Sequence, residues 1–479
     1  MTAIEVGAPT QAPYKWRWWV LVAVLAAEIM DLLDATVVGI AAPSIQDHLG
    51  GGSTMIQWVA AGYTLAFAVG LITGGRLGDR YGRRRMFLIG LAGFIVTSVL
   101  CGLALSPAML VVSRVLQGLF GAALIPQGFG VIRSIFPPKE LGAAFGAFGP
   151  AMGLASVGGP ILAGALVAWN PGDAGWRTVF LINLPIGLAA LALAWKVLPE
   201  SRAEHAPKVD VVGMVLVSTG LVLLIYPLVQ GREQGWPGWM FAMLAASVPV
   251  LAVFGVHQVR RHGAGRAPLV EPALFTSRAF TGGLVVGVAF FAAMSGLILT
   301  LGLYLQLGLR MSALDAGIAV APWALGAAIG AGLSGAVLGR KYGRPVLQIG
   351  ALIMAAGIVL VIAEFGSTGI ATGWDLAPGL LVCGIGMGLL IAPFFDIVLA
   401  GVTLPMVGSA SGVLNAVQQL GGAAGVAVLG TVFFQHFESG DQPGSVRAVL
   451  WVTVGLIVAV AVLGFLLPRR ARPEDAEVG

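Results

Sequence analysis

Residues 55–105 read MIQWVAAGYTLAFAVGLITGGRLGDRYGRRRMFLIGLAGFIVTSVLCGLAL, which is two apolar runs joined by a short, arginine-rich turn. Each run is close to the roughly 20 apolar residues that an α-helix needs to cross the hydrocarbon core of a bilayer. Backbone groups in lipid must be satisfied within their own segment, and these runs are too long and too uniformly apolar for barrel strands. The stretch therefore predicts two membrane-spanning helices.

The whole chain has the same character. Of its 479 residues, 58% are hydrophobic and only 10% are charged, and its mean hydropathy is +0.92. Soluble domains carry roughly a quarter charged residues. Apolar runs between charged or Pro/Gly-rich breaks predict fourteen spans, at 17–42, 55–75, 86–105, 109–131, 141–168, 177–196, 210–230, 238–257, 279–305, 315–337, 346–364, 374–398, 408–434 and 447–467.

An internal repeat divides the chain into two halves. GRLGDRYGR (75–83) follows the second predicted span and LGRKYGR (338–344) follows the tenth, so two basic, glycine-bearing turns occupy equivalent places. Such repeats build the two halves of many transporters. The predicted fold is an all-α polytopic membrane protein, with two six-helix bundles and two extra helices between them. The predicted segments are an N-terminal tail (1–16), an N-terminal six-helix bundle (17–196), a two-helix insert with its linkers (197–278), a C-terminal six-helix bundle (279–467) and a C-terminal tail (468–479).

The net charge of +5 indicates membrane orientation rather than nucleic-acid binding, because the basic residues lie in short loops between apolar runs. If the N-terminus is cytoplasmic, most lysines and arginines fall on the cytoplasmic side. The exceptions are Arg114, within a span, and four residues in external segments, Arg177, Arg232, Arg310 and Arg447. The positive-inside rule therefore predicts a multi-pass protein of the cell (plasma or inner) membrane with both termini cytoplasmic.

No enzyme, cofactor or metal site is predicted. The sequence has neither GxxxxGK[ST] nor GxSxG, so nucleotide-driven transport and serine hydrolase chemistry are not expected. Cys101 and Cys383 lie inside apolar runs and are expected to be structural. His257, His262 and His436 show no metal-ligand spacing.

The first span carries three carboxylates, Glu28, Asp31 and Asp34. Successive helical residues turn by about 100°, so spacings of three and six place these acids within a stripe of roughly 120°. Ionisable groups inside a span are costly, usually face a bundle interior and often form proton relays. We therefore predict that these acids couple transport to protons, although any single one could simply hydrogen-bond a neighbour.

Arg114 is the only basic residue deep in a predicted span. An unpaired arginine there would be costly, so a carboxylate partner is expected, and the first-span acids are the natural candidates. Arg114 then either tunes the proton affinity of those acids or forms a purely structural ion pair.

The turn after the second span contains a predicted cytoplasmic gate motif, formed by Gly75, Asp79, Arg80, Gly82 and Arg83. The outer arginines also fit ordinary positive-inside charge. Asp79 is a single acid flanked by glycines, and it is predicted to latch onto an arginine or a helix N-terminus of the opposite half. Breaking that latch would open the cytoplasmic side.

The fifth predicted span is rich in glycine and contains a Gly-Pro pair. Gly149 and Gly153 favour close helix approach, and Gly159 with Pro160 should weaken or bend the helix. Together with Gly164, this pair indicates either close packing or a hinge at the interface of the halves.

Other aromatic and polar residues within the spans are candidates for a substrate pocket. Trp58, Tyr63 and Tyr304 could stack on a flat organic cation, or could anchor the chain at the membrane interface. Polar side chains in spans more often hydrogen-bond between helices than contact a ligand. The polar candidates are Asn183, Gln306, Asp396, Asn415 and Gln418.

Several motifs, in order along the chain, resemble the major facilitator superfamily and specifically its fourteen-span drug:proton antiporter branch. GRLGDRYGRR (75–84) is similar to the superfamily's cytoplasmic loop motif. RVLQGLFGA (114–122) resembles the fourth-span proton-coupling motif, and GPILAG (159–164) resembles the antiporter motif. Features typical of the fourteen-span branch are LDATVV (33–38) with PSI (43–45), WR (176–177) with FLINLPIG (180–187), and ASGVLN (410–415) with QLGG (419–422).

The resemblance implies a proton-coupled antiporter that works by alternating access, with Asp34 and Arg114 in its coupling machinery. The expected cargo is a small lipophilic, often cationic, organic compound or drug. The expected partners are this substrate, protons and membrane lipids, with no nucleic acid, and the protein is expected to function as a monomer. Two alternatives stay open, namely an exporter or translocase of an endogenous lipid or secondary metabolite, and a proton-coupled importer, against which the Gly-Pro fifth span argues.

Overall fold

The computed structural model describes residues 14–50, 53–148, 151, 155, 158–159, 162, 165–166, 175–200, 210–231, 234–311, 313–367, 373–400, 402–403, 406–437 and 440–470. Within these ranges every regular element is a helix. The first half contains α1 (Arg17–Leu49), α2 (Ser53–Tyr81), α3 (Arg83–Gly102), α4 (Pro107–Ile135), α5 (Pro138–Gly146) and α6 (Asn183–Val197), with short helical segments at Gly175–Arg177 and Thr178–Leu181. The insert contributes α7 (Val211–Gln230) and α8 (Gly238–Gly263).

The second half contains α9 (Arg278–Leu303), α10 (Ala313–Leu333), α11 (Arg344–Ser367), α12 (Ala377–Ala400), α13 (Val407–Phe437) and α14 (Gln442–Leu463). Helices α9 and α10 continue into π-helical turns, and α10 then runs into a short α-helical turn. These additions are Tyr304–Gly308, Ser334–Leu338 and Gly339–Tyr342. Short 3-10 turns connect or end several helices, at Pro272–Thr276, Gly373–Leu376 and Gly464–Leu466.

Twelve helical stretches in the described part of the chain are long and apolar enough to cross a membrane. Each coincides with a predicted span. The predicted spans outside this set are 17–42 and 141–168. The first lies within α1 and carries three carboxylates, and the second lies partly outside the described residues. The described residues thus form an all-helical polytopic protein, and the total of fourteen spans stays a prediction.

Local signals set the start of α4 and the turn between α2 and α3. Ser106 accepts a hydrogen bond from the Met109 amide at 3.3 Å, and Pro107 occupies the first position of α4, as is typical of helix N-termini. Between α2 and α3 the chain turns over Gly82 alone, whose φ of 98° favours glycine. This tight turn holds the gate motif between two membrane helices.

Helices α2 and α4 pack backbone to backbone through glycines. A Cβ on Gly74 would lie 2.0 Å from the Ala122 carbonyl oxygen, and one on Gly118 would lie 2.4 Å from the Tyr63 carbonyl oxygen. Side chains at these positions would force the helices apart. The close approach brings Arg114 of α4 beside the ring of Tyr63 on α2.

The two repeated turns share a structural feature. Gly82 and Gly343 have positive φ angles of 98° and 59°. Each packs against the segment that follows the last helix of its own half, because a Cβ would lie 2.4 Å from the Glu200 carboxylate in the first turn and 2.5 Å from the Arg469 carbonyl oxygen in the second. In each half, the glycine-bearing turn therefore packs against the segment that follows the last helix.

Asp210, at the N-cap of α7, fastens the two insert helices together. Its carboxylate accepts hydrogen bonds from the Gly213 amide and from Gln258, each at 3.0 Å, and it lies 3.0 Å from His257 Nε2 and 3.6 Å from Arg261. Burial alone would raise the pKa of Asp210, but these hydrogen bonds and the nearby arginine charge outweigh burial and lower the pKa. The carboxylate therefore bonds to α8 as an anion at neutral pH.

The substitution Asp210→Ala is expected to loosen the α7–α8 pair by about 1–2 kcal/mol, because it removes an N-cap and leaves buried donors unpaired. In the wild type, the pKa of Asp210 is lowered, so its contribution to the stability of the α7–α8 pair is present at neutral pH. This contribution is lost as the pH falls through the folded-state pKa of Asp210, which lies below the ordinary value of 3.8. Hydrogen exchange in the first turn of α7 measures both effects. Asp441→Ala, at the equivalent N-cap of α14, should leave that exchange unchanged, and unaltered exchange in Asp210→Ala itself would contradict the assignment.

Candidate functional site

Asp34 lies at the centre of a buried polar cluster formed by α1, α3, α4 and α6. Its side chain is buried, and its carboxylate accepts hydrogen bonds from Arg114, from Gln117 at 3.0 Å and from Asn183 at 2.7 Å. Ser98 of α3 accepts from Gln117 at 2.6 Å and from Asn183 at 3.0 Å. Buried charges persist where they are paired and hydrogen-bonded. The cluster thus connects four helices of the first half.

The Arg114 guanidinium has partners on several sides and is 1% exposed. Beyond its ion pair with Asp34, it donates to Gln117 Oε1 at 2.7 Å and to the Val59 carbonyl oxygen at 3.2 Å. Its flat face lies over the Tyr63 ring, with 4.1 Å between the guanidinium carbon and the ring centroid. A cation stacked on an aromatic face in a desolvated site is stabilised by the ring quadrupole. Asp34 is the acid of the first span that neutralises Arg114.

Asp31 and Glu28 extend the cluster along α1. The Tyr63 hydroxyl donates a hydrogen bond to Asp31, so Tyr63 contacts Asp31 through its hydroxyl and Arg114 through its ring. One turn earlier, Glu28 Oε1 is buried and has no hydrogen-bond partner among the described residues. An unpaired buried carboxyl oxygen is costly. This oxygen is therefore a place where a proton or a donor group of a ligand would be stabilised.

A second buried cluster lies at the basic end of the bundle, which we define as the end that carries Arg76, Asp79 and Arg83. Asp79 is buried and pairs with Arg83 at 3.0 Å and with Arg76 at 3.5 Å. Arg83 also donates to the Gly130 carbonyl oxygen at 3.5 Å. The Arg80 guanidinium lies 5.2 Å from the centroid of the Tyr81 ring.

The Asp79 carboxylate faces the first turn of α13, in the other half of the chain. A Cβ on Gly408 would lie 2.4 Å from this carboxylate, and a Cβ on Gly75 would lie 2.2 Å from the Gly408 carbonyl oxygen. A helix N-terminus favours a nearby anion, because its amide groups carry partial positive charge. Helices α2 and α13 therefore meet where there is no room for additional side-chain atoms.

A segment of the insert, residues 268–271, covers the same contact, and we call it the strap. Arg76 donates to the Leu269 carbonyl oxygen at 2.9 Å and lies 3.4 Å from the Glu271 carboxylate. Ser409 of α13 donates to the Leu269 carbonyl oxygen at 3.2 Å and accepts from the Glu271 amide at 3.3 Å. The strap thus bonds to both halves of the chain.

Aromatic rings also join the two halves. The ring of Phe129 on α4 lies 6.0 Å from that of Phe145 on α5 and 5.4 Å from that of Phe395 on α12, between ring centroids. Arg133 donates to the Ala400 carbonyl oxygen at 3.3 Å. With the α2–α13 contact, these interactions seal the basic end in this structure.

Other predicted site residues of the first half have separate contacts or lie outside the described residues. Gly159 is buried within a helical stretch, whereas Pro160 and Gly164 lie outside the described residues. Trp58 is 40% exposed, and its ring lies 5.8 Å from that of Tyr226 on α7. Trp58 therefore packs against the insert.

The candidates of the second half have separate environments. Tyr304 is buried at the start of a π-helical turn. Gln306 and Asn415 donate to carbonyl oxygens of their own helices, at 3.4 and 2.9 Å. Asp396 is half-buried on α12, and the buried Nε2 of Gln418 has no hydrogen-bond partner in the described ranges. Among these candidates, Gln418 thus has a buried side-chain amide group that could donate a hydrogen bond to a ligand.

Sequence reasoning did not name Gln117, Ser98 or Arg76 as site residues. Gln117 follows Arg114 by three positions and so shares its helix face, which is a usable signal. Ser98 sits in an apolar run with no comparable signal. Arg76 bonds largely to backbone carbonyl oxygens of the strap. Because every residue has such an oxygen, the sequence does not indicate which of them bind Arg76.

Comparison with known proteins gives consistent results. The model of the Major Facilitator Superfamily matches residues 24–426. The chain is 52% identical to a protein named as a probable actinorhodin transporter of Streptomyces coelicolor, over 88% of this chain and 73% of the relative. It is 37% identical to the tetracenomycin C resistance and export protein of Streptomyces glaucescens (87% and 76% covered) and to a puromycin resistance protein of Streptomyces alboniger (90% and 85% covered).

Solved structures show the same fold at low sequence identity. The human organic anion transporter MFSD10 aligns with a TM-score of 0.65 at 15% identity, covering 94% of this chain and 99% of that one. The proton:xylose symporter XylE aligns with a TM-score of 0.64 at 15% identity, covering 94% of this chain and 95% of that one. At this identity, the likeness concerns the fold alone.

Proposed function

This chain belongs to the major facilitator superfamily and is a multi-pass membrane transporter, and we propose that it exports small lipophilic organic molecules, many of them cationic, in exchange for protons. The observation that carries the proposal is the Asp34 cluster, since ionisable groups inside membrane bundles are costly and mark ion and proton pathways. The names of the relatives, which refer to antibiotic transport, export and resistance, support the direction of transport. We further propose fourteen spans, arranged as two six-helix bundles and the insert, with both termini in the cytoplasm.

In this proposal the basic end faces the cytoplasm, and the Asp79 contact with α13 is the gate on that side. Substrate enters when the gate opens and leaves outward after it has closed. A proton that binds Asp34 removes the charge that neutralises Arg114, so the donors around Asp34 must rearrange. The unpaired oxygen of Glu28 and the Asp31 carboxylate offer further positions for a proton or for a cationic group of the substrate.

A second candidate function is export of a secondary metabolite that the same cell makes. The name of the relative at 52% identity, a probable actinorhodin transporter, favours this candidate. Both candidates use the same gate and the same acids, and they differ only in the natural cargo.

The test is transport by the purified protein in proteoliposomes under an imposed pH gradient. The panel contains actinorhodin, tetracenomycin C, puromycin and a lipophilic cationic dye. We expect gradient-dependent transport of at least one compound, and its loss in the Asp31→Asn/Asp34→Asn double variant. Transport of the dye and puromycin favours drug export, and transport restricted to actinorhodin favours the second candidate. Gradient-driven transport that survives in the double variant would reject the assignment of these acids.

Tyr63 offers a graded test of the same site. The substitution Tyr63→Phe keeps the ring over Arg114 and removes the hydroxyl that bonds Asp31, and it is expected to slow transport about tenfold, because a hydrogen bond to a charged group contributes about 1.5–3 kcal/mol. Tyr63→Ala also removes the stacked ring and should slow transport further. Initial transport rates per amount of protein measure both effects. Wild-type rates in Tyr63→Ala would show that Tyr63 lies outside the working site.

A further inference from the structure

A cavity of about 560 Å³ lies between the insert and the line along which α2 meets α13. Its walls come from five helices, from the strap and from the segment that follows it. Ile72 belongs to α2 and Leu284 to α9, while Val413 and Leu420 belong to α13. Its volume falls within the roughly 300–1,000 Å³ that is typical of sites for small molecules. The insert supplies the outer wall, including Val217 and Phe254.

The cavity offers nothing to a polar ligand. Gln258 is the one polar side chain among the described residues that line it. Its Oε1 accepts hydrogen bonds from the Leu269 and Val270 amides at 2.7 and 3.2 Å, and its Nε2 donates to Asp210 at 3.0 Å. A polar group placed here would lose its hydrogen bonds to water without replacement. The occupant must therefore be apolar.

The surroundings of the cavity identify the source of that occupant. Helix α8, which forms its outer wall, exposes large apolar side chains along its length, with Phe241 57%, Val248 68% and Val259 60% exposed. In a membrane-spanning helix such a face meets lipid hydrocarbon. Val259 belongs both to this exposed face and to the lining of the cavity. Lipid hydrocarbon is therefore the medium next to the cavity.

We propose that this cavity binds one acyl chain of a membrane phospholipid. The bound chain contacts α2 and α13 where they seal the basic end, since a Cβ on Gly412 of α13 would lie 2.9 Å from the Ile72 Cα. A chain that touches both halves and the insert favours the sealed arrangement over the open one. The acyl-chain site requires no particular export substrate, so it can be tested independently of the proposed function.

Photolabelling tests the site directly. The full-length protein is reconstituted in phosphatidylcholine vesicles that contain a phospholipid with a diazirine on its acyl chain, and labelled peptides are mapped after irradiation. A Cβ on Gly255, which lines the cavity, would meet no atom within 4 Å, so Gly255→Trp can fill the space. Gly455→Trp on α14 is the matched control, because a Cβ there also meets no atom within 4 Å.

In the wild type and in Gly455→Trp we expect labelling of the α13 peptide that contains residues 413–420. In Gly255→Trp this labelling should fall at least about tenfold, because filling the cavity removes the apolar contacts of the chain. Labelling on the exposed face of α8, at residues 241–248, should stay unchanged. If Gly255→Trp does not fold, Ala416→Leu, from the opposite wall, must give the same loss. Equal α13 labelling in the filled variant, or displacement of the label by excess lipophilic dye, would overturn the proposal.

Discussion

Replacement of Asp34 by asparagine is expected to reduce transport driven by a pH gradient to the level of empty vesicles. A neutral amide can still accept a hydrogen bond, but it cannot neutralise the guanidinium of Arg114, which is 1% exposed. Removing one partner of a buried ion pair costs about 3–5 kcal/mol, since the other charge stays buried without compensation. The variant also loses the group to which we assign the coupling proton. Transport in proteoliposomes with and without a gradient measures the effect.

Two controls separate lost coupling from lost folding. Asp47→Asn makes the same change on the same helix at an exposed carboxylate, and should transport at the wild-type rate. The Asp34→Asn/Arg114→Gln double variant removes both charges, so it should recover stability relative to Asp34→Asn without recovering gradient-driven transport. Recovery of transport in the double variant would show that the pair is purely structural.

Substitution of Gly75 by leucine is expected to prevent closure of the basic end. A Cβ at this position would lie 2.2 Å from the Gly408 carbonyl oxygen and 3.0 Å from its carbon, which are backbone atoms of α13. Overpacking of this kind typically costs about 1–3 kcal/mol, which shifts the equilibrium between closed and open arrangements roughly 5–150-fold. Transport should therefore fall steeply, because one arrangement of the cycle becomes inaccessible.

Cysteine accessibility reports the arrangement itself. Ser411 of α13 is 1% exposed, and the two native cysteines are buried, so Ser411→Cys provides a probe with low background. In inverted membrane vesicles a membrane-impermeant maleimide should label this cysteine about tenfold faster when Gly75→Leu is also present. Gly332→Leu, where a Cβ would meet no atom within 4 Å, should leave the labelling rate unchanged. Equal rates in all three backgrounds would show that Gly75 does not control the gate.

Much of the fold follows from composition and periodicity. Apolar runs of membrane length predicted the twelve stretches that the described residues contain, because in lipid only the helix satisfies the backbone. The family membership that the ordered motifs predicted is confirmed by the match over residues 24–426. The number of spans depends on α1 and on 141–168, where buried acids or undescribed residues break the pattern.

The charged residues of the candidate site can be predicted from the sequence, whereas its uncharged residues are harder to predict. A buried arginine requires an acid, so Arg114 predicts a carboxylate partner in the first span, and the structure pairs it with Asp34. Gln117 and Ser98 carry no charge, and polar residues in spans have many uses. The strap binds Arg76 mainly through backbone oxygens, which every residue possesses. Hydrogen bonds of this kind can be identified only from a three-dimensional structure.

The strap also connects the insert to the α2–α13 contact, the proposed gate. Membrane helices change their tilt when bilayer thickness does not match the length of their apolar surface. Helices α7 and α8 are joined through Asp210, and Gln258 of α8 holds the amides of Leu269 and Val270. A tilt of the insert therefore pulls on the residues that bond Arg76 and Ser409. We therefore expect membrane thickness to bias the α2–α13 contact, which we propose as the cytoplasmic gate.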